Sequence, residues 1–150
     1  MNKIIFILFV FLSSCASLKT FQMPAKINLV EINNMHFVRV TFNEIKTLLL
    51  IDTGASKSLL DISKSEEYGF SYTLLSKKQY VGLGGLQDIY VIYDYKIQEI
   101  WITFLGVDLS EIQGYFNKSG IDIVGIIGSD FIKNYNVVID FKNNIMYLNS

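Results

Sequence analysis

The chain has little of what would build a cross-linked or metal-binding protein. It contains one cysteine, Cys15, among its 150 residues, so no disulfide can form within the chain. It also contains one histidine, His36, in a strand-like pattern without a second ligand candidate nearby. A zinc site or a histidine-based catalytic triad would need that residue, and we expect it to be an ordinary strand histidine. We therefore expect no metal. The glycine-rich stretch at 82–85 lacks the spacing of a dinucleotide-binding loop, so we expect no organic cofactor either.

The chain also has no large excess of positive or negative charge. The 13 basic and 14 acidic residues give a formal net charge of -1 and are scattered without runs. This pattern lacks the basic patch with which proteins bind nucleic acid, so we expect no nucleic-acid partner.

Proline occurs once, whereas aromatic residues make up 14% of the chain, many of them in alternating stretches. This composition favours one β-rich domain.

The amino-terminal segment differs from the rest of the chain. A short basic start precedes nine apolar residues, 4–12, which are too few to span a bilayer. The sequence Leu-Ser-Ser-Cys at 12–15 resembles the lipobox of bacterial lipoproteins, in which the signal peptide is removed before a cysteine that becomes lipid-modified. An ordinary secretory signal cut nearby, or a buried first strand with an inert thiol, is the alternative.

The lipobox resemblance implies a division of the chain into three parts. Residues 1–14 are the predicted signal peptide, residues 15–25 carry the lipidated Cys15 and a tether, and residues 26–150 form the folded domain. The predicted localisation is export across the inner membrane, with a membrane anchor at Cys15 on the periplasmic or cell-surface face.

Alternating apolar and polar residues predict strands through the folded domain. The expected strands cover 27–32, 36–42, 48–51, 58–62, 97–105, 123–127, 137–141 and 145–148, with a hairpin over 77–95. One short helix is expected over 109–117 and a helical turn over 131–133. Because strands dominate, the prediction is an all-β fold.

The most informative stretch is an apolar strand that ends in an acid. Leu-Leu-Leu-Ile at 48–51 leads directly into Asp-Thr-Gly-Ala-Ser at 52–56. Asp, Thr and Gly are common turn residues, so Asp52 taken alone is best explained as a turn or cap acid. The second informative stretch, Ile-Ile-Gly-Ser-Asp-Phe at 126–131, contains Asp130, which we expect to be a packing acid at a helix start.

These two stretches resemble the two signatures of retropepsin-like aspartic proteases. A glycine-rich hairpin tip lies between them, as the flap does in that family, and the likeness runs from about residue 29 to 148. The resemblance implies a retropepsin-like closed barrel with one short helix and a flap hairpin, active as a homodimer. It also implies a role for each matching residue. These are Asp52 as the catalytic carboxylate; Thr53, Gly54, Ala55 and Ser56 as support for the active-site loop; Tyr80, Val81, Gly82, Leu83, Gly84 and Gly85 as the substrate-binding flap; and Ile126, Ile127 and Gly128 as the segment beneath the loop.

The number of Asp-Thr-Gly loops decides the expected assembly. Aspartic proteases use two carboxylates that share a proton, one acting as a base on water while the other donates to the scissile carbonyl. This chain offers one such loop, because Asp94, Asp122 and Asp140 lack the following glycine. The prediction is therefore a homodimeric aspartic endopeptidase that cleaves peptide or protein substrates. Two alternatives stay open: a non-catalytic dimeric lipoprotein for binding or assembly, and a protease that processes one partner lipoprotein.

Overall fold

The structure is a computed structural model that describes residues 25–80, 85–97 and 100–148. The predicted signal peptide, Cys15 and most of the predicted tether lie outside the described residues. So do four residues of the predicted flap, namely Val81, Gly82, Leu83 and Gly84.

Strands dominate the described chain. Ten strands are formed: β1 (Ala25–Ile32), β2 (Met35–Phe42), β3 (Ile45–Ile51), β4 (Leu59–Asp61), β5 (Thr73–Tyr80), β6 (Leu86–Ile97), β7 (Ile100–Val107), β8 (Ile123–Ile127), β9 (Val138–Asp140) and β10 (Ile145–Leu148). They follow the order β5-β6-β7-β4-β8-β3-β2-β1-β10-β9. The fold is mostly β, as expected, and it contains a few short helices; closure into a barrel stays a prediction.

The helices are more numerous than the single one expected. The described residues contain a 3-10 turn (Ile62–Lys64) and three α-helices, α1 (Ser65–Tyr68), α2 (Ser110–Asn117) and α3 (Ser129–Asn134). Helix α2 corresponds to the predicted helix and α3 to the predicted helical turn. The 3-10 turn and α1 were not predicted. The Asp61 side chain accepts a hydrogen bond from the Ser63 backbone N-H at the start of this segment, and Gly69 ends it with a left-handed backbone.

Two tight turns form the meander of β1, β2 and β3. Asn33 and Asn34 have φ of 54° and 62°, and Asn43 and Glu44 have φ of 44° and 70°. Positive φ at both central residues is the geometry of the two-residue turn that suits the twist of a hairpin. Both turns fall in the gaps between the strands predicted over 27–32, 36–42 and 48–51. In contrast, Ile97 was expected to begin the next strand, but it pairs with Ile100 as the last residue of β6.

Four neighbouring strands in the middle of the sheet, in the order β7-β4-β8-β3, position the segment that follows β3. Strands β3 and β8 run parallel, with Leu50 opposite Ile126 and Ile51 opposite Ile127. Strand β4 is antiparallel to β8 and parallel to β7. Because β3 and β8 run in the same direction side by side, the residues after Ile51 and after Ile127 emerge at the same edge of the sheet.

The sheet encloses a large apolar core and smaller satellite clusters. The main core includes Phe42, Leu49 and Phe104, all fully buried. A smaller cluster consists of Val107, Leu109 and Ile126, against which other apolar side chains pack from several elements. No helix in the described parts of the chain is both long and apolar enough to cross a membrane.

Candidate active site

Asp52 lies at the point where β3 ends beside β8. Its backbone N-H donates to the Ile127 carbonyl at 3.0 Å, which extends the parallel ladder by one bond. Its carbonyl accepts from the Ala55 N-H at 3.1 Å, which closes a tight turn over Thr53 and Gly54. The buried strand therefore ends in a turn that holds the carboxylate at the edge of the sheet.

The turn bonds the carboxylate as well as the backbone. The Gly54 N-H donates to Asp52 Oδ1 at 2.9 Å. A β-carbon at Gly54 would lie 3.1 Å from the same oxygen, which is tighter than most real contacts of a β-carbon. Asp52 itself is half-buried, whereas Thr53 and Gly54 are exposed. The glycine thus allows the backbone to approach and hydrogen-bond the carboxylate.

The segment after β8 supports the turn from beneath. The Ser129 N-H donates to the Ala55 carbonyl at 2.8 Å. A β-carbon on Gly128 would lie 2.5 Å from the Lys57 carbonyl oxygen and 2.9 Å from the Ala55 carbonyl oxygen, so no other residue fits without moving backbone. The structure therefore brings Ile127 and Gly128 into contact with the Asp52 loop.

Ser58 is a supporting residue that the sequence did not reveal. Its side chain is buried, accepts a hydrogen bond from the Gly128 N-H at 3.0 Å and donates one to Asp130 Oδ1 at 2.8 Å. Asp130 Oδ1 also accepts from the Phe131 N-H at 2.8 Å in the first turn of α3. The prediction that Asp130 is a packing acid at a helix start is confirmed. Only its partner Ser58, distant in sequence, could not be foreseen.

The predicted flap coincides with the β5–β6 hairpin. Tyr80 ends β5 and pairs with Leu86 at the start of β6. Gly85 has φ of 69°, a left-handed conformation that glycine adopts without strain. The hairpin is thus confirmed at the predicted place, but the position of its tip is outside the described residues.

A shared apolar cluster links this hairpin to the Asp52 loop. Ala55 from the loop and Ile89 from β6 both pack against the cluster of Val107, Leu109 and Ile126. Direct bonds or this shared packing therefore join six of the predicted site residues: Asp52, Gly54, Ala55, Ile126, Ile127 and Gly128. Thr53 and Ser56 are exposed on the same loop.

A cavity of about 440 Å³ lies between the first residues of β6 and the start of α2. Its lining includes Gln87 and Tyr90 from β6, Asp108 from the segment before α2, and Glu111 from the first turn of α2. No group of three or more His, Cys, Asp or Glu residues in the described ranges is arranged to hold a metal ion.

The chain is similar to known proteins in sequence and in fold. The family model described as aspartyl protease matches residues 38–131, well over half of the chain. A retropepsin-like aspartic protease from Rickettsia conorii has a similar structure, with a TM-score of 0.51 and 15% identity over 83% of this chain and 88% of that one. The retroviral protease-like domain of Ddi1 from Leishmania major gives a TM-score of 0.51 and 20% identity over 77% of this chain and 89% of that one.

No curated protein matches the chain. The structural likenesses are at low identity and show the fold, whereas the family model covers the Asp-Thr-Gly loop, the hairpin and the supporting glycine segment together. The resemblance seen in the sequence is thereby confirmed, and the chain belongs to the retropepsin-like aspartyl protease family.

Proposed function

We propose that the protein is an aspartic endopeptidase in which Asp52 is the catalytic carboxylate. The observation that carries the proposal is the geometry of the Asp52 loop. The half-buried Asp52 carboxylate lies where the carboxyl ends of β3 and β8 meet. It accepts a hydrogen bond from the Gly54 N-H, and the segment after β8 supports its loop. Such a fixed, partly desolvated acid suits proton transfer to and from a bound water.

The chemistry requires a second carboxylate close to the first. Two facing carboxylates cannot both be ionised, so they share one proton; the ionised group takes a proton from water while the other donates to the scissile carbonyl oxygen. We propose that the second group is Asp52 of another copy, because one chain supplies one Asp-Thr-Gly loop. The exposure of Thr53 and Gly54 supports this proposal, since both are available for contact with a second loop.

Substrate binding is proposed for the β5–β6 hairpin and the surface beneath it. An extended peptide that pairs its backbone with a hairpin gains affinity from main-chain hydrogen bonds, while pockets select side chains. Within this proposal, Thr53 would hydrogen-bond the opposite loop, and Tyr80 to Gly85 would contact the peptide. The occupant is a peptide or protein segment in extended form.

The test of this function is cleavage of a diverse peptide library across roughly pH 4 to 8, the span over which a shared-proton pair is expected to titrate. The full chain, purified in detergent, is compared with Asp52→Asn, and mass spectrometry locates the cuts. Cleavage that disappears in the variant supports the proposal. If neither protein cleaves any peptide while light scattering shows a dimer, the result favours the binding or assembly module, or a protease specific for one partner lipoprotein.

We also propose that the protein is anchored to a membrane through a lipid on Cys15. The support is the lipobox-like sequence at 12–15 after the short apolar stretch. Metabolic labelling with an alkyne fatty acid tests the proposal. The label is expected on the wild-type protein in the membrane fraction and absent from Cys15→Ser; label on both, or on neither, contradicts it.

A further inference from the structure

The tip-side part of the β5–β6 hairpin is fastened to the body by the amide of Gln87. The Gln87 Nε2 group donates to the Asp108 carbonyl at 3.0 Å, and the Asp108 N-H donates to Gln87 Oε1 at 2.9 Å. One side chain thus bonds both backbone groups of one residue, as a neighbouring strand would. We call this pair of hydrogen bonds the Gln87 clamp.

The clamp lies beyond the point where the backbone pairing of β6 with β7 has ended. Towards the hairpin tip, the last pair between β6 and β7 is Tyr90 with Gly106, and β7 itself ends at Val107. Gln87 is three residues beyond Tyr90 in that direction. The clamp therefore continues the attachment of β6 past the end of the ladder, into the part of the hairpin that leads to the tip.

The Asp108 backbone, to which the clamp is bonded, is itself fixed by further hydrogen bonds. Asp108 Oδ1 accepts from the Ser110 N-H at 2.9 Å, which fixes the turn into α2. The next residue, Leu109, donates its N-H to Asp61 Oδ1 at 3.2 Å, and the Asp61 side chain is fully buried. Since Asp61 ends β4, the strand that follows the Asp52 loop, the clamp ties the hairpin to the same framework that carries the loop.

We propose that Gln87 is a positioning residue that sets where the β5–β6 hairpin lies relative to the β7–α2 segment, and thereby how well the site holds a peptide. The second half of this inference rests on the proposed function of the hairpin as the flap. Two residues along β6, Ile89 packs against the apolar cluster that Ala55 also contacts. Release of Gln87 is therefore expected to loosen the hairpin near Ile89, where it packs on the cluster shared with Ala55.

Amide hydrogen exchange measures the clamp without requiring activity. In Gln87→Ala we expect exchange of the Asp108 amide and of the amides of residues 86–90 to accelerate about tenfold, because two hydrogen bonds are lost. The matched control is Gln79→Ala. Gln79 lies directly opposite Gln87 in the hairpin, and its Nε2 group bonds only locally, to the Lys77 carbonyl at 3.4 Å. We expect wild-type exchange in the control.

The variant Gln87→Glu separates hydrogen bonding from packing. A protonated carboxyl group has a donor and an acceptor placed like those of the amide, whereas an ionised one has no donor and puts charge against the Asp108 carbonyl. Relative to intrinsic rates, exchange in this variant is expected to approach the wild type near pH 4 or below and Gln87→Ala near pH 7. A merely structural effect of the substitution would not change with pH in this way, and this variant carries the test if Gln87→Ala does not fold.

Peptide cleavage then tests the link to function. If the wild type cleaves peptides, Gln87→Ala is expected to raise KM about tenfold and to change kcat less than twofold, because the binding-competent hairpin position is less populated. Unchanged exchange in Gln87→Ala, or equal acceleration in Gln79→Ala, overturns the clamp. Accelerated exchange with unchanged KM overturns its role in binding. Absence of any wild-type cleavage counts against the proposed function, while the exchange result still decides the clamp.

Discussion

Ser58 shows how strongly single side chains determine the geometry of the Asp52 loop. It is 2% exposed and bonds both the Gly128 N-H and the Asp130 carboxylate. Ser58→Ala removes the hydroxyl group that bonds both partners, so we expect the free energy of unfolding to fall by about 1–3 kcal/mol. Urea unfolding measures the change. Ser71→Ala, at an exposed position, is the control, and an equal effect in both variants would contradict this role of Ser58.

Tyr68 gives the molecule a pH dependence in the alkaline range. Its hydroxyl donates to Asp122 Oδ2 at 3.0 Å, and Lys64 also hydrogen-bonds Asp122. Burial of the ring, followed by the bond to Asp122 and its negative charge, raises the pKa of Tyr68 from its ordinary value of 10.0 to about 12. The folded state therefore keeps this proton at a pH where the unfolded chain has lost it.

The sign of the effect follows from the protons bound in each state. Between pH 10 and 12 the folded state binds more protons than the unfolded state, so the contribution of Tyr68, complete below pH 10, is lost as the pH rises. We expect a loss on the order of 2 kcal/mol in the wild type that is absent from Tyr68→Phe. Denaturant unfolding from pH 8 to 11.5 measures the difference between the two proteins. Parallel curves for both would contradict the account, and Tyr72→Phe controls for removal of an exposed phenol.

At the scale of elements, β8 can lie between β3 and β4 only because it contains glycine. A β-carbon on Gly125 would lie 2.1 Å from the Leu59 carbonyl oxygen in β4, where backbone cannot yield cheaply. Gly125→Ala is therefore expected to lower the free energy of unfolding by roughly 3 kcal/mol. The comparison is Gly114→Ala in α2, where nothing lies within 4 Å of the added carbon.

For the α2 variant we expect a gain of about 0.5–1 kcal/mol, because alanine loses less backbone entropy in a helix than glycine. Thermal unfolding of both variants measures the contrast. A Gly125→Ala protein as stable as the wild type would show that β4 and β8 are not packed as closely as described.

Elements were predictable from the sequence where local chemistry decides them. The turns at Asn33–Asn34 and Asn43–Glu44 need only residues that tolerate positive φ, and the alternating strands beside them are read directly. The four-residue helix α1 was missed because so short a helix leaves no periodic pattern and depends on its caps. The end of β6 was also misplaced, because Ile97 was assigned to the next strand, whereas it pairs with Ile100 as the last residue of β6.

The candidate site was predictable in its residues but not in its supports. The Asp-Thr-Gly loop and the Ile-Ile-Gly segment are local motifs, and the structure joins them through the ladder of β3 and β8. Ser58 and Gln87 carry no motif. Their partners are 70 and 21 residues away in sequence, so only the folded chain shows their roles.

At the scale of the whole molecule, the central claim is that one active site is shared by two copies. The described chain holds its Asp52 loop firmly and leaves Thr53 and Gly54 exposed. If each copy supplies one carboxylate, a dimer with one Asp52→Asn subunit lacks the second group needed for proton sharing. Activity should then depend on the pairing of chains and fall steeply on dilution.

The most direct measurement mixes wild-type and Asp52→Asn chains at constant total concentration, after subunit exchange, and records the initial rate of peptide cleavage. If mixed dimers are inactive, the rate follows the square of the wild-type fraction, so an equal mixture retains roughly a quarter of the wild-type rate. A rate proportional to the wild-type fraction, with about half remaining in the equal mixture, would contradict a catalytic pair built from Asp52 of two chains.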